Sequence, residues 1–298
     1  MEELFFNNAR GLDIYYLRWQ ASTPKAAVVI SHGMAEHPER YDDLAKYLNE
    51  NSISVYAINQ MGHGKHAAKP GHMDPGDFDL CVDNLNELVE IAKKETNLPV
   101  FLLGHSMGSF LSQLYIERYH NIQGLVLSGS TAATPIMKMG SAIANIVYAF
   151  ASDKSAPSPF MDKMSFGSYN SKIKPARTKF DWLTHDEKIV DAYIEDPLCG
   201  FVCSKSFFKE MTHGLKIMNS NKEMSKIKVE LPILIHGGKQ DPVSNYGKGL
   251  YELEKKYKKH LINDVTLIVY ENDRHEIYNE LDKKTVYENT LNFINKNI

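Results

Sequence analysis

Short runs rich in valine, isoleucine and leucine recur along the chain at Ala26 to Ser31, Ile53 to Ile58, Val100 to Leu103, Leu125 to Leu127, Ile233 to His236 and Thr266 to Tyr270. Each is followed by a turn or a polar residue. Such runs predict strands buried on both faces, because a half-exposed strand would alternate apolar with polar positions. Between them lie longer stretches of helical period: Tyr41 to Asn51, Asp77 to Glu95, Ser109 to Tyr119, Gly247 to Tyr257 and Lys284 to Asn295. In the second, Val82, Leu85, Leu88, Val89 and Ala92 fall on one face at three- and four-residue steps, the spacing of a helix laid on a sheet. Before the first run, Leu4 to Phe6 and Ile14 to Trp19 flank the turn-like Asn7-Asn8-Ala9-Arg10-Gly11 and predict an opening antiparallel hairpin. The alternation implies an α/β protein with a mostly parallel sheet, helices on both faces and strand ends gathered at one edge.

The rhythm breaks between residues 131 and 227, where methionine, phenylalanine, proline and lysine gather in short helical pieces with no convincing strand. We read residues 1–130 and 228–298 as the core and 131–227 as an inserted helical cap. A chain of 298 residues fits one large domain carrying such an insertion. The longest apolar stretch, Ile143 to Ala151 interrupted by Asn145, is about half of the ~18 residues needed to span a bilayer. The opening Met1-Glu2-Glu3 puts acid where a secretory signal carries base, and the expected location is cytoplasmic. Three cysteines, Cys81, Cys199 and Cys203, cannot form a disulfide framework and suit a reducing compartment. A net charge of -3 without a basic stripe gives no expectation of nucleic-acid binding.

After the strand Val100 to Leu103 comes Gly104-His105-Ser106-Met107-Gly108, and a helical run follows at once. This is G-x-S-x-G between a strand and a helix, where a sharp turn lifts the central serine clear of the sheet and glycine is needed where a Cβ would clash. A serine hydroxyl requires a histidine base and an acid to orient it. Asp241 follows the strand Ile233 to His236, and His275 follows the strand Thr266 to Tyr270. The order Ser106, Asp241, His275 is that of α/β-hydrolases. Asp273 is the rival acid, two residues from His275 and more plausibly a turn residue. The oxyanion hole is expected from the N–H groups of Met107, at the helix start, and Met34, in the loop after Ser31; their side chains could line an acyl pocket or fill gaps.

Four segments give the chain a specific resemblance: Ser31-His32-Gly33-Met34-Ala35-Glu36-His37-Pro38-Glu39-Arg40-Tyr41, Gly62-His63-Gly64, Gly104 to Gly108, and Val190-Asp191-Ala192-Tyr193-Ile194-Glu195-Asp196-Pro197-Leu198. Along nearly its full length the chain resembles the monoacylglycerol lipase and lysophospholipase branch of the α/β-hydrolases, the serine aminopeptidase-like hydrolase-4 group. The resemblance implies that Glu36 and Arg40 form a polar cluster near the catalytic edge, either touching substrate or as a surface ion pair. Asn59 stands where relatives usually have Asp before Gly-His-Gly. No zinc or other metal site is expected, since Cys199 and Cys203 lack a second half and His275-Glu276 lacks a second histidine. No cofactor is expected either, in the absence of G-x-G-x-x-G or a P-loop. The reading is a serine esterase for a single-acyl lipid, with Ile143, Ile146, Val147 and Phe150 of the cap as the acyl wall and the cap as the surface that would meet a membrane peripherally. A peptidase, an acyl-thioesterase or a non-catalytic binding protein on the same scaffold stays open.

Overall fold

The computed structural model describes residues 1–298, the side chain of Lys138 excepted. The apolar runs lie in one eight-stranded sheet of order β1-β2-β4-β3-β5-β6-β7-β8, formed by β1 (Glu2–Asn7), β2 (Asp13–Trp19), β3 (Ala26–Ser31), β4 (Ile53–Ile58), β5 (Val100–His105), β6 (Gly124–Ser128), β7 (Ile233–Gly238) and β8 (Val265–Tyr270). The opening hairpin β1–β2 is antiparallel and joins β4 antiparallel. From β4 to β8 every pairing is parallel, so these strands end at one edge. The β5 strand runs two residues beyond the expected stop, because Gly104 and His105 pair with Leu127 and Ser128.

Side-chain alternation divides the central strands between two cores. Val29, Leu102 and Leu125 face Val82, Leu85, Leu88 and Val89 of α2 (Asp77–Thr96), together with Leu111 and Leu114 of α3 (Met107–Ile116). Val28, Ile30, Leu103 and Val126 face the other way, onto Leu44 and Leu48 of one helix, Asp42–Glu50, and Phe293 and Ile294 of another, Lys283–Lys296. Both faces being covered explains why the strand sequences show no polar alternation.

Between β6 and β7 the chain leaves the sheet and forms α4 (Pro135–Ala149), α5 (Pro159–Phe166), α6 (Glu187–Glu195), α7 (Lys205–Ile217) and the short α8 (Asn221–Met224). Each starts on a side-chain cap: Thr134, Ser158, Asp186, Ser204 and Ser220 accept from backbone N–H groups of the first turn, replacing partners that a helix start lacks. Phe207, Phe208, Met211 and Leu215 of α7 join the α2–α3 core. Asn219 ties the two stems of the insertion together. Its Oδ1 accepts from Ala133 N at 3.1 Å, while its Nδ2 and N–H donate to Gln113 and Glu117 of and just beyond α3 at 2.9 and 2.8 Å. No helix among the described residues is long and apolar enough to cross a membrane.

The closest packing lies at the start of α3. A Cβ on Gly108 would collide with the Ser31 carbonyl, and one on Gly104 would meet the Gly108 carbonyl at 2.5 Å. Gly108→Ala should therefore lower stability by about 3 kcal/mol, the cost of overpacking a site whose neighbours are backbone. Gly140, inside α4, has nothing within 4 Å of the same position. Gly140→Ala should raise stability by up to about 1 kcal/mol. Thermal unfolding of the two variants checks the contrast.

Candidate active site

Where β5 gives way to α3, Ser106 takes φ 52° and ψ -121°, a strained conformation for a residue with a β-carbon. Its N–H donates to Ser128 O at 3.0 Å, which pins the turn to β6. The turn aims Ser106 into a cavity of about 290 Å³ that His275 also lines. Asp241, wholly buried after β7, accepts from His275 Nδ1 at 3.1 Å and from Val243 N–H at 2.8 Å through the same Oδ1. That bond puts the proton on Nδ1 and leaves Nε2 as the basic nitrogen. Burial works against charge on His275, yet the Asp241 carboxylate outweighs it and raises the pKa above 6.5. No hydrogen bond joins Ser106 to His275 among the described residues; contacts of this kind are often long in an empty site.

Asp273 is placed differently. It is buried, its carboxyl is pushed up to about 7 by burial and by Asp282 and Glu280, and its Oδ2 has no partner among the described residues. Its carbonyl accepts from Gln240 N–H at 2.9 Å. It therefore fixes the backbone between the two loops and makes no bond to His275.

In the loop after β3, Gly33 N–H donates to Glu36 Oε1 at 2.5 Å and Ala35 N–H to His63 Nε2 at 3.0 Å. The N–H groups of Met34 and Met107 donate to nothing among the described residues. The donors on either side are thus spent, leaving Met34 N–H free beside Ser106. His63 serves as acceptor because burial pushes it down to about 3, keeping it neutral, and its Nδ1 lies 3.0 Å from Met61 O. Met34 lines the cavity, whereas Met107 is packed into the core. Asn59 Nδ2 donates to His63 O at 2.9 Å, so the asparagine supplies a loop contact of its own.

Glu36 and Arg40 are not a surface ion pair. Their side chains are 4% and 11% exposed, and Arg40 bonds Glu36 Oε2 at 2.7 Å and both Glu276 oxygens at 2.8 and 2.7 Å. Although burial favours the neutral acids, Arg40 holds both carboxyls below the usual range. Tyr41 OH adds a bond to Glu36 Oε1 at 2.9 Å.

The family described as serine aminopeptidase, S33, matches residues 22–282. The chain belongs to this family. The S33 chain is a serine hydrolase on the α/β-hydrolase fold. It is similar to the monoglyceride lipase of Mus musculus, 29% identical over 93% of this chain and 84% of the relative, and to the monoacylglycerol lipase of Mycolicibacterium smegmatis, 27% identical over 97% and 95%. A thermostable carboxyl esterase from Bacillus coagulans, solved in complex with glycerol, superposes with a TM-score of 0.92 at 26% identity, covering 99% of this chain and 98% of the other.

In this S33 chain the cavity wall departs from the sequence reading. Ile143, Ile146, Val147 and Phe150 do not line it. Ile143 and Val147 pack α4 against the core, while Ile146 and Phe150 are 58% and 88% exposed. The apolar wall instead comes from Phe166, Phe180, Trp182, Leu183, Tyr193 and Phe201, with Asp162, Lys163, Asn170 and Lys179 as its polar part. These residues come from α5, α6 and the irregular segments between and after them, so no single periodicity marks a common face. Aromatic density in 166–201 was the available signal. One group could hold a metal among the described residues, His37, Asp196 and Cys199, with ligand atoms within 4.8 Å of one another. Its chemistry fits a clamp better: both His37 nitrogens face carboxylates, Glu39 at 2.8 Å and Asp196 at 2.7 Å, which together outweigh burial and favour the protonated ring. Burial also keeps the Cys199 thiol protonated.

A histidine base must be neutral to accept a proton, so with His275 in that role its raised pKa should put the midpoint of the rising limb of kcat/KM against pH above 6.5. Asp241→Asn should lower turnover by about ten-thousand-fold through the wrong tautomer. Asp273→Asn should stay near the wild type. Steady-state kinetics of the three proteins from pH 5 to 9, read as about one to two pH units on either side of an ordinary histidine, makes the check.

Proposed function

We propose that the protein is a cofactor-independent esterase that hydrolyses single-acyl lipid esters, monoacylglycerols or lysophospholipids, by way of an acyl-enzyme. Ser106 Oγ attacks the ester carbonyl while His275 Nε2 takes its proton, and Asp241 stabilises the imidazolium. The N–H groups of Met34 and Met107 receive the negative charge that builds on the carbonyl oxygen. His275 returns the proton to the leaving alcohol, then activates a water that releases the acid and restores Ser106. The observation that carries this reading is the aromatic cavity beside Ser106, walled by Phe166, Phe180, Trp182 and Phe201. The names of the similar lipases and esterase support it.

The family's description raises a peptidase as the second reading. An aminopeptidase must hold a substrate ammonium with a carboxylate free to receive it. Of the acids that line the cavity, Glu36 and Glu276 are committed to Arg40, which leaves Asp162, beside Lys163 in sequence, as the carboxylate without an ion pair among the described residues; the aromatic wall is what favours the ester. The non-enzyme alternative is tested directly by Ser106→Ala, which should lose fluorophosphonate labelling and about a million-fold in turnover.

The apolar residues expected inside belong to another surface. Ile136, Met139, Ile146 and Phe150 are exposed at steps of three, seven and four residues, on one side of α4 and its C-terminal cap, and Phe160 and Met164 are exposed on α5. In the segment that begins on α5, Lys163, Lys172, Lys174 and Lys179 are exposed with no acid between residues 163 and 180. Exposed apolar side chains and a cation-rich segment within one insertion suit an anionic lipid surface, from which a single-acyl substrate would be drawn.

Buried methylenes contribute about 0.8 kcal/mol each, so medium- and long-chain monoacyl esters should exceed acetate esters by at least about a hundred-fold in kcat/KM. Phe166→Asp should erase most of that advantage and spare acetate hydrolysis. Ile146→Asp should leave dissolved substrates unaffected but weaken sedimentation with phosphatidylglycerol vesicles and turnover of ester presented in them. A chain-length series with dissolved and vesicle-borne substrate separates the two. Preference for acetate would overturn the lipid assignment, and cleavage of aminoacyl amides at comparable rates would favour the peptidase.

A further inference from the structure

The Ala35 backbone is held in the left-handed region, φ 55°, which costs a residue with a β-carbon about 1 kcal/mol or more. It persists because its peptide groups are fixed from outside. The N–H is taken by His63, as above, and the carbonyl accepts two hydrogen bonds, from Tyr193 OH at 2.8 Å and from Gly200 N–H at 2.9 Å. Both carbonyl donors belong to the insertion. Tyr193 stands on α6 and Gly200 a few residues beyond it, and between them Asp196 bonds His37 at 2.7 Å. Residues 193–200 therefore seat on residues 35–37 through three hydrogen bonds, one residue from the free Met34 N–H.

We propose that Tyr193 is a positioning residue for the oxyanion hole, and that the seating of α6 sets the direction of the Met34 N–H. The inference rests on the esterase reading for the role of that N–H. The Met34 N–H belongs to the Gly33–Met34 peptide, whose carbonyl faces His32 Nδ1 at 2.7 Å; with Gly33 N–H held by Glu36 on one side and Ala35 held on the other, that peptide is fixed from both ends. Lifting α6 strips the Ala35 carbonyl of both donors and leaves the strained Ala35 residue held through its N–H alone, by His63. The hole is then complete only with the insertion seated over substrate, so access and transition-state stabilisation are coupled through one carbonyl. The Tyr193 ring has separate supports: Arg40 lies 4.8 Å above it, Phe180 packs against it at 5.0 Å, and the residue is buried. Removing the hydroxyl alone should therefore leave α6 folded and in place.

Tyr193→Phe tests this. Loss of an oxyanion donor itself costs about 100- to 1,000-fold in kcat; loss of its support should cost about tenfold in kcat on acetate and medium-chain esters alike, with KM unchanged. Fluorophosphonate labelling should slow in proportion, since phosphonylation develops charge at the same hole. The pH midpoint should not move, because Asp241 and His275 are untouched. Asp196→Asn, which weakens the same seating without touching Ala35, should lower kcat in the same direction by a smaller factor. Wild-type kcat in Tyr193→Phe, a rise in KM alone, or a kcat loss that disappears on cooling the variant well below its unfolding midpoint would overturn the inference, the second by making Tyr193 a substrate contact and the third by making it merely structural. An unreactive Ser106 in the wild type would instead overturn the esterase reading.

Discussion

Arg40 carries the arrangement on which the catalytic edge depends. It is buried between Glu36, from the loop after β3, and Glu276, next to His275, with the Tyr193 ring of the insertion against its guanidinium. Three segments distant in sequence thus meet on one cation. Taking these charges out of water is costly, and such a cluster adds little net stability over an apolar replacement. Removing one partner is another matter, because an uncompensated buried charge costs about 3–5 kcal/mol. The cluster therefore acts through geometry: the planar guanidinium accepts only a narrow set of carboxylate positions, and this fixes the distance between the Met34 loop and the His275 loop.

The insertion works on the same two loops. Its residues 181–185 lie along the histidine loop, where Trp182 O accepts from His275 N–H at 3.4 Å, Leu183 O from Glu276 N–H at 2.7 Å, and Arg274 reaches Asp181 O at 2.6 Å and Thr184 O at 3.0 Å. Its residues 193–200 lie along the Met34 loop. What looks in sequence like a cover is bonded to the backbone of both loops beneath it. The remainder has another character: α4 and α5 present apolar side chains to solvent, a cost that a monomeric surface usually avoids unless the patch has an occupant.

Two of the residues held at positive φ despite a β-carbon sit where chemistry is expected, each paired with nearby support. Ser106 and Ala35 both lie in the left-handed half of φ space, the first held by β6 and the packing of Gly104 and Gly108, the second by His63 and the insertion. Loops without such over-determination relax toward ordinary conformations. The parallel strands provide the rigid frame from which both turns project.

The sequence by itself determined the layered fold and the positions of Ser106, Asp241 and His275, because buried strands, amphipathic helices and G-x-S-x-G are local patterns whose period or spacing encodes the structure. Strand ends shifted where pairing with a neighbour extended them, as at Gly104 and His105, and helix ends moved by up to three residues, α3 running Met107–Ile116 where Ser109 to Tyr119 was expected. The cavity wall was not legible. Ile143, Ile146, Val147 and Phe150 share a helix and an apolar character with any pocket-lining face, but which side of α4 meets the core is decided by its packing on α7. The bond from Tyr193 to the Ala35 carbonyl, the burial of Arg40 with Glu276, and the gathering of Phe166, Phe180, Trp182 and Phe201 around Ser106 depend on contacts between residues far apart in the chain. Local patterns report how a segment prefers to fold; only tertiary packing decides which of its side chains share a space.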